Sequence, residues 1–261
     1  MNQVSSPSFY KRLLALIFVS GLSVHAPLQA KEVFRITAGE WPPYLSKNLP
    51  HNGFMARIIT ESFALENISV QWQFFPWPRA MIYAKSGKAE ATAIWRFSQK
   101  RHLRFLYSDP IIESGNVFFH LKSSTFDWQR FEDLKGYTVG RTSSYLYGKE
   151  FEAAAKKGIF ETDTIPSEAL NFKKLLRGKI DLLPSNKFTG NHILKFKFSP
   201  QQAAKITYHP EFIETQSLHL LFSRISGNSK YFSARFNAGL EKLKLSGKFD
   251  EYLQSGLPKH N

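Results

Sequence analysis

With 261 residues, no cysteine and a formal net charge of +14, the chain is long enough for one large or two small domains with ample core, and no disulfide supports its fold. A basic balance of this size suits nucleic acid, an anionic surface or an acidic ligand.

The N-terminus narrows that choice. Lys11 and Arg12 precede the apolar run "LLALIFVSGLSV", and "APLQA" ends in the small residue Ala30. Charged, then apolar, then small is the order of a secretory signal. The run is shorter than the roughly 20 residues needed to span a bilayer. Cleavage after Ala26 would leave Pro27 first, so residues 1–30 are expected to leave as the signal peptide and Lys31 to open the mature chain. No cysteine follows to carry a lipid anchor. The signal holds two basic residues and no acid, which leaves +12 on the exported chain. Export to the periplasm makes nucleic acid an unsuitable partner and favours an anionic membrane face or an acidic ligand. No later apolar run reaches membrane length, so no membrane insertion is expected.

Strands then alternate with helices, the pattern of an α/β protein. "VFRITAG" (33–39) reads as a strand ending at a Pro-Pro turn. "NGFMARIITESFALEN" places Phe54, Ile58, Ile59 and Phe63 on one helical face, and "VQWQFF" follows as an alternating strand. "PWPRAMIYAKSG" opens a helix at Pro78 and stops it at Gly87, and "KAEATAIW" reads as a buried strand. That last unit recurs. "AKSGKAEATAIW" (84–95) and "LLRGKIDLLPSN" (175–186) are each a helix, a Gly-Lys turn, an acid and a strand. Two similar units imply two lobes. "GNVFFHLKSS" (115–124) leaves the first lobe and "ETQSLHLLFSR" (214–224) returns to it. The expected division is residues 31–122 and 217–261 in lobe 1 and 123–216 in lobe 2. Two crossings form a hinge, and a cleft between hinged lobes is a usual place for a small ligand. The final helix aligns Phe232, Phe236, Leu240 and Leu243, with Lys242, Lys244 and Lys248 as a solvated face.

The order of motifs resembles the periplasmic solute-binding proteins of family 3, the group containing the histidine- and glutamine-binding components of ABC importers. The resemblance covers essentially the whole mature chain. It rests on "GEWPPYLS", "NGFMARIITESF", "SGKAEATA", "SQKRHLRFLYSDPI", "DLKGYTVG", "RGKIDLLPSN" and "FNAGLEKLKLSGKFDEYL", in that order and spacing. It implies a two-lobed type II periplasmic binding protein that closes on a small solute and presents it to an ABC permease.

Among the basic residues of "WRFSQKRHLRFLYSDPI" (95–111), one stands apart. Ser98 can cap a short helix whose third residue is Arg101, and a cation in a first helical turn opposes the dipole by about 0.3–1 kcal/mol. A bound anion would remove that conflict, since helix amides and a planar guanidinium converge on it and the guanidinium matches a carboxylate bidentately. The family's carboxylate-binding arginine falls on Arg101, although pairing with Asp109 is the alternative. Lys100, His102 and Arg104 read as solvated. Trp41 falls where relatives place a ring against the ligand, and Tyr44 follows the Pro-Pro turn. Both rings would pack the solute or plug the lobe core. Trp77 and Trp95 stand between the same two roles, and Glu40 either receives an amino group or lies on the surface.

The departures from the family weaken the case for an ordinary amino acid. Relatives place an ammonium-binding aspartate where this chain has the neutral Asn186, and small hydroxyl residues where it has Ile94 and Arg96. The second-lobe loop offers Ser143, Ser144 and Tyr145 as hydroxyl donors, and Ser144, Tyr145 and Asn186 are expected to complete the site on closure. The leading expectation is a monomeric periplasmic binding protein for an anionic or zwitterionic solute, without cofactor or metal. No G-x-x-x-x-G-K-[ST], H-E-x-x-H or G-x-S-x-G motif occurs. A secreted dehydratase of the cyclohexadienyl type, with Glu40 as its acid, is the enzymatic alternative. A ligand sensor is the third, and the sequence's end at Asn261 is expected to exclude a receptor or cell-wall lyase.

Overall fold

The computed structural model of the chain describes residues 33–143 and 145–257. The expected signal segment and Ser144 therefore lie outside the described residues. In chain order the elements are β1 (Val33–Ala38), α1 (Phe54–Ala64), β2 (Ser69–Phe74), α2 (Trp77–Lys85), β3 (Ala91–Arg96), α3 (Gln99–His102), β4 (Phe105–Tyr107) and β5 (Ile112–Leu121). There follow β6 (Thr138–Thr142), α4 (Lys149–Lys156), β7 (Glu161–Ile165), α5 (Glu168–Leu176), β8 (Leu183–Asn186), α6 (Lys187–Lys197), α7 (Pro200–Ala203), β9 (Ile206–Ser223), α8 (Ser229–Leu245) and α9 (Lys248–Ser255).

Seven strands make one sheet in the order β2-β1-β3-β9-β5-β8, with β4 also on β9, while β6 and β7 pair separately. β1 lies parallel to β2 and β3, and β9 runs antiparallel to β3 and β5. Side chains alternate across a strand, and that period distributes the core. On β9, Leu220 and Phe222 enter the first-lobe core with Phe34, Ile58 and Phe236, whereas Leu221 faces Ala84 and Phe105 on the other side. On β5, Val117 and Phe119 pack with Phe172 and Leu175, while Phe118 packs with Trp128 and Phe151.

Two lobes follow from these cores. Membership changes along β5 between Ile112 and Val117, and along β9 between Ile213 and Leu218. The first change precedes the Lys122 boundary expected from the sequence, because Val117 to Phe119 already pack in the second lobe. β9 also begins at Ile206, upstream of the expected Glu214, since its ladder with β5 runs to the Leu121–Ile206 pair. That ladder shifts register between Asn116 and Val117 and again between Val117 and Phe119, with the additional residues on β9. Pro210, which lacks a ladder N–H, falls inside the second irregularity. Gly115 keeps the two strands close, since a Cβ there would lie 2.2 Å from the Glu214 carbonyl oxygen.

Helix packing follows the sequence pattern. Phe54, Ile58, Ile59 and Phe63 of α1 and Phe232, Phe236, Leu240 and Leu243 of α8 are all buried, as apolar stripes at helical spacing require. Lys242 is exposed, as expected of the solvated face, and also makes a long-range ion pair. Its Nζ donates to the buried Glu66 carboxylate at 2.6 Å, and Arg235 pairs with the same group at 3.0 Å. This ion cluster ties the end of α1 to α8.

Candidate ligand-binding cleft

A cavity of about 430 Å³ opens between the lobes, lined by Glu40, Trp41, Trp77, Ile94, Trp95, Arg96, Arg101, Leu218 and Tyr145. The first-lobe residues come from three places: the turn after β1, the start of α2, and the β3–α3 segment. Leu218 is brought in by pairing opposite Arg96 in the β3–β9 ladder. Tyr145, from the loop after β6, is contributed by the second lobe.

The three tryptophans form a continuous wall. Trp77 meets Trp41 edge-on at 6.5 Å between ring centroids and Trp95 edge-on at 5.0 Å. Gly39 makes room for this wall, because a Cβ there would fall 2.2 Å from Trp77 Cδ2. Each indole N–H donates within the protein: Trp41 to Thr189 Oγ1 (3.3 Å), Trp77 to the Glu40 carbonyl (3.3 Å) and Trp95 to Thr92 Oγ1 (3.1 Å). The wall therefore offers a solute ring surface rather than hydrogen bonds.

Arg101 is fixed against this wall. Its Nη2 donates to the Arg96 carbonyl at 2.8 Å, and its guanidinium lies 5.2 Å from the Trp95 ring centroid. Among the described residues its buried Nε has no partner, and no carboxylate pairs with it. Asp109, the alternative partner considered from the sequence, is exposed and accepts nothing from Arg101. Ser98 stands at the N-cap of α3 as expected, but its hydroxyl makes no capping bond, and its own amide donates to Tyr107 Oη at 3.2 Å. The four-residue α3 thus contributes position, and the guanidinium supplies the charge.

Other expected residues occupy different places. Tyr44 is fully buried: the Trp41–Leu45 turn closes by reciprocal backbone bonds of 2.7 and 2.9 Å, and the ring turns inward behind Trp41 against Phe54 and Phe188. It lines no part of the cavity. Its hydroxyl shares a bond with Ser114 Oγ at 2.8 Å and donates to Asn186 Oδ1 at 2.9 Å, and burial pushes its pKa well above the usual tyrosine range. Asn186 does not line the cavity either, because it caps α6. Its Oδ1 accepts from the Phe188 and Thr189 amides, and its Nδ2 donates to Ser114 Oγ (2.9 Å) and the Gly115 carbonyl (3.3 Å). Glu40 is exposed at the rim, where Oε1 accepts the Lys47 amide at 3.3 Å.

Arg96, Ile94 and Leu218 line the cavity although the sequence singled out none of them as a ligand contact. Arg96 and Ile94 were visible as unusual residues before Arg101. Leu218 carried no local signal, since its place depends on a ladder partner 122 positions away. Among the described residues, no group of three or more metal-binding side chains occurs, and no helix is long and apolar enough to cross a membrane.

Comparison with known proteins bears on the fold. No family model matches the sequence, and no curated protein matches it. Solved structures do. The second substrate-binding domain of GlnP from Lactococcus lactis, in its open conformation, is 18% identical with a TM-score of 0.74, over 88% of this chain and 97% of that one. The second substrate-binding domain of a putative amino-acid ABC transporter from Streptococcus pneumoniae is 18% identical with a TM-score of 0.73, over 86% and 100%. A histidine kinase sensor domain similar to periplasmic binding proteins is 18% identical with a TM-score of 0.58, over 87% and 97%. The chain therefore has the two-lobed type II periplasmic binding-protein fold, with two chain crossings as its hinge.

Proposed function

We propose that this protein captures a small carboxylate-bearing solute in the cleft between its lobes and delivers it, in the periplasm, to a permease of the ABC-importer type. The observation that carries this reading is the Arg101 guanidinium, held on Trp95 and by the Arg96 carbonyl without a carboxylate partner among the described residues. A partly occluded cation facing a cavity is matched by an anion that it can grip bidentately. The tryptophan wall would pack the solute's body, and Tyr145 would approach from the second lobe on closure. The likeness to substrate-binding domains of amino-acid transporters supports capture and delivery. Among the described residues a single carboxylate, that of exposed Glu40, lines the cavity.

A thermal-shift screen of amino acids and organic acids tests the reading, since a ligand at roughly 1,000 times its dissociation constant stabilises by about 4 kcal/mol. The hit is then titrated against Arg101→Ala, Lys100→Ala and Arg104→Ala. Charged hydrogen bonds contribute roughly 1.5–3 kcal/mol each, so Arg101→Ala should weaken binding by about tenfold to a hundredfold and the other two by little. Equal small losses in all three would replace the clamp with a diffuse basic patch.

A further inference from the structure

Donors and acceptors around the cleft are unequally supplied. The tryptophan N–H groups are already used within the protein, and Ile94 and Leu218 add apolar surface. Among the described residues that line the cavity, the side chains left to bond a solute are the guanidinium groups of Arg96 and Arg101, which only donate, the hydroxyl of exposed Tyr145 and the Glu40 carboxylate. Neither arginine has a carboxylate partner among the described residues. On the acceptor side the cavity has one carboxylate, Glu40. It sits in solvent at the rim, where a pair with a cation contributes little.

The second lobe does not correct this imbalance. Asn186 could accept from a solute only through Oδ1, and that atom already receives the Tyr44 hydroxyl and two α6 amides, at 2.9, 3.1 and 3.2 Å. Glu168, the buried second-lobe acid, receives the Ser185 hydroxyl and is absent from the cavity lining. A solute ammonium would therefore lose water beside two guanidiniums and gain no carboxylate but that of solvent-exposed Glu40. Of the ring faces that could attract it, that of Trp95 already carries the Arg101 guanidinium at 5.2 Å.

We infer that the cleft selects carboxylates with a flat or apolar body and no α-ammonium, and discriminates against the α-amino acids of the same shape. This rests on the carboxylate-capture reading and narrows it to a substrate class. An unmatched buried charge is costly enough that the ammonium-free member of a matched pair should bind about tenfold tighter or more.

The test is isothermal titration of the exported protein at neutral pH with three pairs differing only in the amino group: hydrocinnamate and L-phenylalanine, indolepropionate and L-tryptophan, isocaproate and L-leucine. The expected result is tighter binding of the acid in every pair that binds, with the ratio unchanged in Glu40→Gln. Equal or tighter binding of an amino acid overturns the inference. If that binding disappears in Arg101→Ala, the carboxylate-capture reading stands. A ratio that rises in Glu40→Gln also overturns it, by making Glu40 the ammonium partner. Failure of all six compounds overturns the inference, and the reading falls with it only if dicarboxylates and basic amino acids also fail to bind.

Discussion

Replacing Gly39 by Ala should disrupt the cleft wall through one contact. The added Cβ would stand 2.2 Å from Trp77 Cδ2 and 2.3 Å from Cε2, the atoms at the fusion of the indole rings. No rotation of a distant tip relieves such a clash, so the whole ring must leave. Leaving forfeits the Trp77 N–H bond to the Glu40 carbonyl, about 1 kcal/mol, and the edge-on contact with Trp95, about 0.5–1.5 kcal/mol. Ala also restricts the unfolded chain, which returns about 0.4–1 kcal/mol. The net destabilisation should be about 0.5–2 kcal/mol, at the lower end of the usual range for overpacking. Urea unfolding followed by circular dichroism measures it, and a double-mutant cycle with Trp77→Ala isolates its cause. Without the indole, Gly39→Ala should be neutral or slightly stabilising. An equal loss in both backgrounds would show that Gly39 is needed for something other than the Trp77 ring, and the account of the wall would fail.

Two further substitutions probe the buried polar groups. Tyr44→Phe should cost about 1 kcal/mol, because Ser114 and Asn186 still satisfy each other once the hydroxyl is gone. Asn186→Ala should cost about 2–4 kcal/mol, since it removes the α6 cap and the Asn186 bonds to the Tyr44 and Ser114 hydroxyls, which keep only each other. Chemical denaturation that ranked the two in reverse would contradict this network. Burial raises the Glu168 pKa above the ordinary carboxylate range. Its contribution to stability is then full below the unfolded carboxylate's pKa and is lost as pH rises through the folded one. Glu168→Gln, which can still accept the Ser185 hydroxyl, should match the parent in acid and exceed it at neutral pH. A constant difference across a pH series of melting curves would refute the assignment.

Periodicity made the helices and the sheet legible, because burying one stripe or one face is a local instruction. The faces of α1 and α8 and the buried run of β3 read directly from spacing. Arg101 and Trp41 were placed by the resemblance to family 3, and the structure gathers them with Trp77 and Trp95 at the cavity. Tyr44 and Asn186 defeated the same logic. Both lie beside turns, yet their hydroxyl and amide find each other across 142 positions and are drawn into a buried cluster. The pairing of exposed Lys242 with Glu66 was equally invisible, as the two lie 176 residues apart. A hydrogen-bond partner fixed only by the tertiary fold leaves no trace in local spacing.

The two crossings, β5 and β9, are bonded to each other along nearly the whole length of β5. Mechanically they form one torsion bar rather than two separate tethers. On either side of the crossing β9 is also bonded to β3 and β4, and β5 to β8. The additional residues of β9 fall beside the change from one core to the other. Rotation of one lobe about this ribbon of β5 and β9 would swing Tyr145 toward or away from the tryptophan wall. Its stiffness can be altered by changes around Pro210, at positions that never touch a bound solute.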